Sequence, residues 1–198
     1  LLDSKNAAKV MHFLFDKDIL PHWLPDLTEI AVLEALMRLE ADVENKSFPI
    51  RRMAALCPMG GDVARQISSV LKLSNKDRRD LIDLTTEIAD FDLNANEMTW
   101  RRLTHQYGTD FLRNYILLSA ARSGDMAQIN PAYDLVTKIR LPDFQLRGQD
   151  IIKRGIAAGP KIGTYMRAVE TWWIDQDFEP KRRACLDYLD DLIAKDAG

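Results

Sequence analysis

From Leu146 to Gly163 the chain reads Leu-Arg-Gly-Gln-Asp-Ile-Ile-Lys-Arg-Gly-Ile-Ala-Ala-Gly-Pro-Lys-Ile-Gly, and the chemistry these residue types in this order could do is to hold an anion. The pattern is a short helix, a glycine stop at Gly155, a tight connection, and a second helix opened by Gly159-Pro160. Proline suits the first helical position because its missing N–H is one that a helix start leaves unpaired anyway. The N–H groups that follow point out of the helix with the positive end of its dipole, which favours phosphate. Lys153, Arg154 and Lys161 are spaced to close around such a group, and Gly163, one turn in, leaves room for close approach. An ordinary helix hairpin whose glycines serve only packing fits the same residues, and the local pattern leaves both readings open.

Charge is unevenly spread around this stretch. Lys138, Arg140, Arg147, Lys153, Arg154, Lys161 and Arg167 face only Asp143 and Asp150 in the same segment, whereas acids predominate from Glu170 to Gly198. The whole chain carries a net charge of -3, which excludes a protein that coats nucleic acid through bulk positive charge. Any polyanion contact must be local, and the expected set is Arg147, Lys153, Arg154, Lys161 and Arg167, with Arg101 and Arg102 beside Trp100 as further phosphate contacts. Trp172 and Trp173 could stack on unpaired bases, but with Val169 they continue the apolar face of a helix, and core anchoring is the expectation.

Other chemistries lack their residues. Asp16-Lys17-Asp18, Asp90-Phe91-Asp92 and Asp175-Gln176-Asp177 have the spacing of metal-binding aspartate pairs, yet each falls at a helix end without the rigid strand that a two-metal site needs. His12, His22 and His105 are scattered, and Cys57 and Cys185 have no metal-ligand neighbours, so no metal site is expected and both thiols are expected in the core of a protein from a reducing compartment.

The elements that must position these residues are helices. Apolar residues recur at three and four spacing, as in Leu27, Ile30, Leu33, Leu36 and Met37, then Leu81, Leu84 and Ile88. Ser74 followed by Asp77 is a capping pattern, Asn130-Pro131, Gly159-Pro160 and Glu179-Pro180 place Pro at helix starts, and Gly108 and Gly155 mark stops. The expected fold is all-α with no sheet, an irregular array of about eleven helices near 4–17, 27–45, 48–56, 61–72, 75–90, 96–107, 109–122, 131–140, 148–154, 160–173 and 180–194. The proline-interrupted stretch Arg140 to Leu146 separates a helical body, 1–139, from a small helical tail, 140–198. Apolar runs are too short to span a membrane, and Asp3, Lys5 and Lys9 interrupt any signal-peptide pattern, so a cytoplasmic protein with no membrane partner is expected.

Gly148-x-Asp150-Ile151-Ile152 with Gly155, then Gly159-Pro160-x-Ile162-Gly163, Trp172-Trp173-Ile174 and Asp177-Phe178, resembles the tail of class II CCA-adding tRNA nucleotidyltransferases and bacterial poly(A) polymerases of the alphaproteobacterial type. Val10-Met11-His12-Phe13-Leu14 with Ile19-Leu20-Pro21 is similar to the segment after that family's neck, and Lys72 to Arg78 and Arg101-Arg102-Leu103 with Tyr107-Gly108 are similar to its body. The resemblance spans the chain in the family's order. It implies a part that grips tRNA or another RNA, while a catalytic head with paired aspartates uses Mg2+ and CTP or ATP to extend the RNA 3′ end. None of the head's motifs is here, and Arg78-Arg79-Asp80, which imitates one of its tripeptides, follows a Ser74 cap on a charged helix face. With no initiator Met before Leu1, a head is expected upstream. The chain by itself is then expected to bind no cofactor and to incorporate no CTP or ATP. A helical protein-interaction scaffold without RNA is the alternative.

Overall fold

The structure, a computed structural model, describes residues 1–24, 26–124 and 129–197. Twelve helices and no strand occur among the described residues, which divide into two compact units, Leu1–Lys138 and Ile139–Gly198.

The first unit holds α1 (Ala7–Asp16), α2 (Ile19–Trp23), α3 (Ile30–Val43), α4 (Pro49–Leu56), α5 (Asp62–Val70), α6 (Asn75–Leu84), α7 (Glu97–Tyr107), α8 (Thr109–Ser123) and α9 (Ile129–Lys138). Its centre is α8, which buries Leu112, Tyr115, Ile116, Leu117, Leu118, Ala120 and Ala121 and packs against α3, α4, α6, α7 and α9. A helix apolar on nearly every side is stable only when surrounded, which is why five others gather on this one. The short helix α2 was not legible in the pattern, being one turn long with a Pro inside it. Helix α6 ends at Leu84 rather than near residue 90, because Thr85 and Thr86 turn their hydroxyls onto carbonyls of the last turn. The Ser74 cap forms as expected, its hydroxyl accepting from the Asp77 N–H at 3.1 Å.

The second unit is a stretch without regular secondary structure, 139–147, followed by α10 (Gly148–Ile152), α11 (Pro160–Asp175) and α12 (Arg182–Ala197). Leu146, Ile151, Tyr165, Val169, Trp173, Phe178, Cys185 and Leu189 form its core. Phe178 sits at a positive φ of 62°, a costly conformation for a side chain of its size. Its ring is buried edge-on against Trp173 at 5.0 Å, which offsets that cost. Two proline expectations are corrected. Pro131 is the third residue of α9, not the first, and Pro180 precedes α12, where its carbonyl accepts the Trp173 indole N–H at 3.1 Å.

Both cysteines are free and buried. Burial pushes the Cys57 thiol up to about 12, against a weaker opposing pull from the Arg122 guanidinium. Thiolate is the reactive form, so native protein should leave both thiols unlabelled by iodoacetamide at neutral pH, with labelling appearing only as denaturant unfolds the chain. Rapid modification of Cys57 in the native state would contradict its placement.

Candidate nucleic-acid interface

The starts of α10 and α11 lie against each other. A Cβ at Gly148 would stand 3.4 Å from the Ile162 side chain, so the absence of one lets the α10 backbone sit on the first turn of α11. A Cβ at Gly163 would stand 3.6 Å from a terminal nitrogen of Arg167, so that guanidinium folds back along its own helix towards the N-terminal end. Arg147 is bonded to Gly148 and Lys161 to Ile162. The pairing of the two helix starts therefore brings Arg147, Lys161 and Arg167 into one neighbourhood, and each is exposed. The start of α11 has no side-chain cap and no acid in its first turn. Gly159, at φ 156° and ψ -168°, occupies a region open only to glycine, which sets the entry of the chain into Pro160.

The basic residues at the far end of α10 behave differently. Lys153 is exposed and makes no ion pair with a described residue. Arg154 is committed: its Nε and Nη2 both donate to the Asp190 carboxylate on α12, and its Nη1 donates to the Asp150 carbonyl at 3.0 Å. That pairing holds the Asp190 carboxyl below the usual carboxylate range. Helix α10 ends at Ile152, two residues short of the expected limit, and Arg154 lies in the turn that follows.

Asp150 stands inside the glycine-bounded pattern yet points inward. It is buried, accepts the Arg147 backbone N–H at 2.9 Å and receives the Arg182 guanidinium at 2.5 Å. The Arg182 hydrogen bond, with the help of the Arg147 N–H, keeps its carboxyl below the ordinary range. Arg182 also donates to the Gln145 carbonyl at 2.5 Å. Together these bonds tie the stretch 139–147 to the starts of α10 and α12. Arg182 was missed by sequence reasoning because it lies in the acidic segment, and no local signal pairs it with Asp150 across an interval of 32 residues. A shallow recess of about 580 Å3 lies beside it, lined by Asp143, Phe144, Gln145, Arg147 and Arg182.

Arg101 and Arg102 belong to the first unit, on α7, where both are half-buried. Lys138, the first residue of the basic segment, ends α9 and pairs with Asp134 at 3.6 Å. Trp173 is a core residue, and Trp172 is half-buried and stacked on Tyr188 at 4.4 Å, so both serve packing within the unit. Among the described residues no three His, Cys, Asp or Glu side chains come together in one cluster. No helix among the described residues is long and apolar enough to cross a membrane.

No protein-family model matches this chain, and no curated protein matches it either.

Proposed function

We propose that this chain binds RNA through the cations of its second unit, as the RNA-holding part of a nucleotidyltransferase that adds CCA or poly(A) to RNA 3′ ends, with tRNA as the preferred RNA. The observation that carries this reading is that Arg147, Lys153, Lys161 and Arg167 are exposed and form no ion pair with a described residue, while Arg154 and Arg182 close by are held by carboxylates. Hydrated cations without a carboxylate partner exchange water for phosphate at little cost, and the uncapped start of α11 adds oriented N–H groups to the same surface. Double-stranded RNA hides its base edges in a deep groove, so recognition runs through phosphates, 2′-hydroxyls and shape. Bond formation, with its Mg2+ and CTP or ATP, falls to a catalytic head that this chain does not contain. The sequence resemblance supports the choice of enzyme family.

Binding of a tRNA transcript measured across salt concentrations tests this directly. Three to four phosphate contacts predict that log K falls against log salt with a slope of about -3. Charge reversal of Arg147, Lys153 and Lys161 to Glu should flatten that slope and abolish binding at physiological salt, with the circular dichroism spectrum unchanged. Equal affinity of wild type and the triple variant would refute the assigned surface. A protein-contact role has one observation of its own, the exposure of Phe13, Phe15, Ile19 and Trp23 on α1 and α2. It predicts association that survives the triple reversal and strengthens, rather than weakens, with salt.

A further inference from the structure

A groove of about 800 Å3 opens in the first unit, none of its lining residues is among those assigned above to RNA, and its size falls within the range of small-molecule sites. Phe48, Tyr107 and Phe111 give it aromatic lining, Gly108, Thr109 and Asp110 bring the start of α8 to it, and Arg51, Arg113 and Asn114 also line it. Two features of this lining point to a ligand.

The first is charge. The lining residues Glu44, Arg51 and Arg113 belong to a cluster in which Arg51 donates to Glu40 at 2.7 Å and Glu44 at 2.6 Å, Arg52 donates to Glu40 at 2.7 Å, and Arg113 donates to Glu44 at 3.0 Å. Three guanidinium groups thus share two carboxylates. The Tyr133 phenol bonded to Glu44 and Arg113 adds no negative charge, since burial and the Glu44 carboxylate push its pKa up. The excess positive charge rests on Arg113, the cluster's outermost member. Its other acid, Asp110, is 3.9 Å away and 98% exposed, a contact largely screened by water.

The second is a ladder of rings. Tyr107, Phe111 and Tyr115 stack in sequence, with centroids 5.5 Å and 5.9 Å apart and planes within 28° of parallel. Tyr115 closes one end by meeting Phe91 edge-on at 4.7 Å. The other end, half-buried Tyr107, lies in the groove.

We propose that this groove binds a small molecule made of a flat aromatic ring joined to one phosphate or carboxylate, the ring extending the ladder at Tyr107 and the acid group pairing with Arg113 beside the first turn of α8. The N-cap of that helix, Gly108, offers no side-chain acceptor, so the amides there are open to the same acid group. Lys46, its ammonium 4.7 Å from the centre of the Phe48 ring, adds attraction for an anion, whereas Asp77 and Asp110 in the lining oppose it; Lys76 and Asp80 offset each other as an ion pair, and Glu44 is taken up by the arginines.

Calorimetric titration of the full chain with adenosine 5′-monophosphate and with indole-3-propionate, each against its ring portion alone and inorganic phosphate or acetate alone, tests the proposal. At least one joined molecule should bind more than about tenfold tighter than either of its parts, because the two contacts then act in one ligand. Tighter binding of the nucleotide assigns a phosphate ester, and tighter binding of the indole acid assigns a carboxylate. Asp110→Asn should strengthen that binding by roughly two- to fivefold, since it removes an exposed competitor for Arg113. Tyr107→Ala should weaken it by about tenfold or more, the value of a lost stacking contact. Arg113→Gln should also weaken it, and a melting curve separates loss of the ligand contact from loss of the Glu44 pair. Reversal of Lys153 and Lys161 in the other unit should change nothing. Joined molecules no tighter than their parts, or an affinity untouched by both Asp110→Asn and Tyr107→Ala, would overturn the proposal while leaving the RNA-binding reading intact.

Discussion

Replacing Glu40 by Ala is expected to destabilise the chain by about 3–5 kcal/mol, the cost of stranding a buried charge whose partner has gone. The side chain is 2% exposed, and both of its oxygens are used, one by Arg51 and the other by Arg52. Arg51 is 1% exposed and cannot turn to solvent when its partner is removed. It would keep Glu44 at 2.6 Å, the Lys46 carbonyl at 3.1 Å and Asn114 at 3.0 Å. Arg52 would keep only the carbonyls of Leu2 and Ser4 among its described partners, so most of the loss falls there. Those two bonds also hold the N-terminal turn against α4, so protection of amides near Leu2 from hydrogen exchange should fall before the rest of the unit melts. Glu40→Gln keeps an acceptor and the shape but not the charge, and should cost less than Ala. Urea unfolding followed by circular dichroism reads all of this, and a Glu40→Ala variant within about 1 kcal/mol of wild type would show that the cluster is not what holds α3 to α4.

The next largest effect belongs to Asp150 in the second unit. Its replacement by Ala removes the bond from Arg182 and the acceptor for the Arg147 N–H, a loss of about 2 kcal/mol once the partial exposure of Arg182 is allowed for. A domain of roughly 60 residues is marginal on its own, so this is a large part of its stability. The pH dependence has a fixed sign. Because Arg182 holds the Asp150 carboxyl below its unfolded value, the contribution is fully present above the unfolded carboxylate pKa of about 4 and is lost as pH falls through the lower, folded-state value. Wild type and Asp150→Asn should therefore differ in urea midpoint at neutral pH and converge in acid. A gap that widens in acid would contradict the assigned pairing.

Asp150 also bears on the RNA-binding reading. The glycine-bounded pattern looks like a binding motif in sequence, but its carboxylate works inside the fold, positioning Arg147 while leaving that side chain outward. Loss of RNA binding in an Asp150 variant would report a displaced Arg147, not a lost contact.

The helical class and most of the helices followed from local signals: three-and-four periodicity, a Ser74 cap and glycine stops act within one turn of chain, so one sequence window contains their cause. The glycines at 148 and 163 were legible as places of close approach, though not what would approach them. The second unit begins at Ile139, where the helical period fails ahead of Pro142. Which charges stay available is a long-range matter. Arg154 and Arg147 look alike in sequence, and only the return of α12 takes one with Asp190 and leaves the other exposed. The buried arginine cluster left one faint trace, Glu40 falling four residues after Leu36 on the inward stripe of α3. Its partners, from Arg51 to Tyr133, meet only when α3, α4, α8 and α9 pack, because an ion pair depends on distance in space and hydrophobic periodicity depends on distance along the chain.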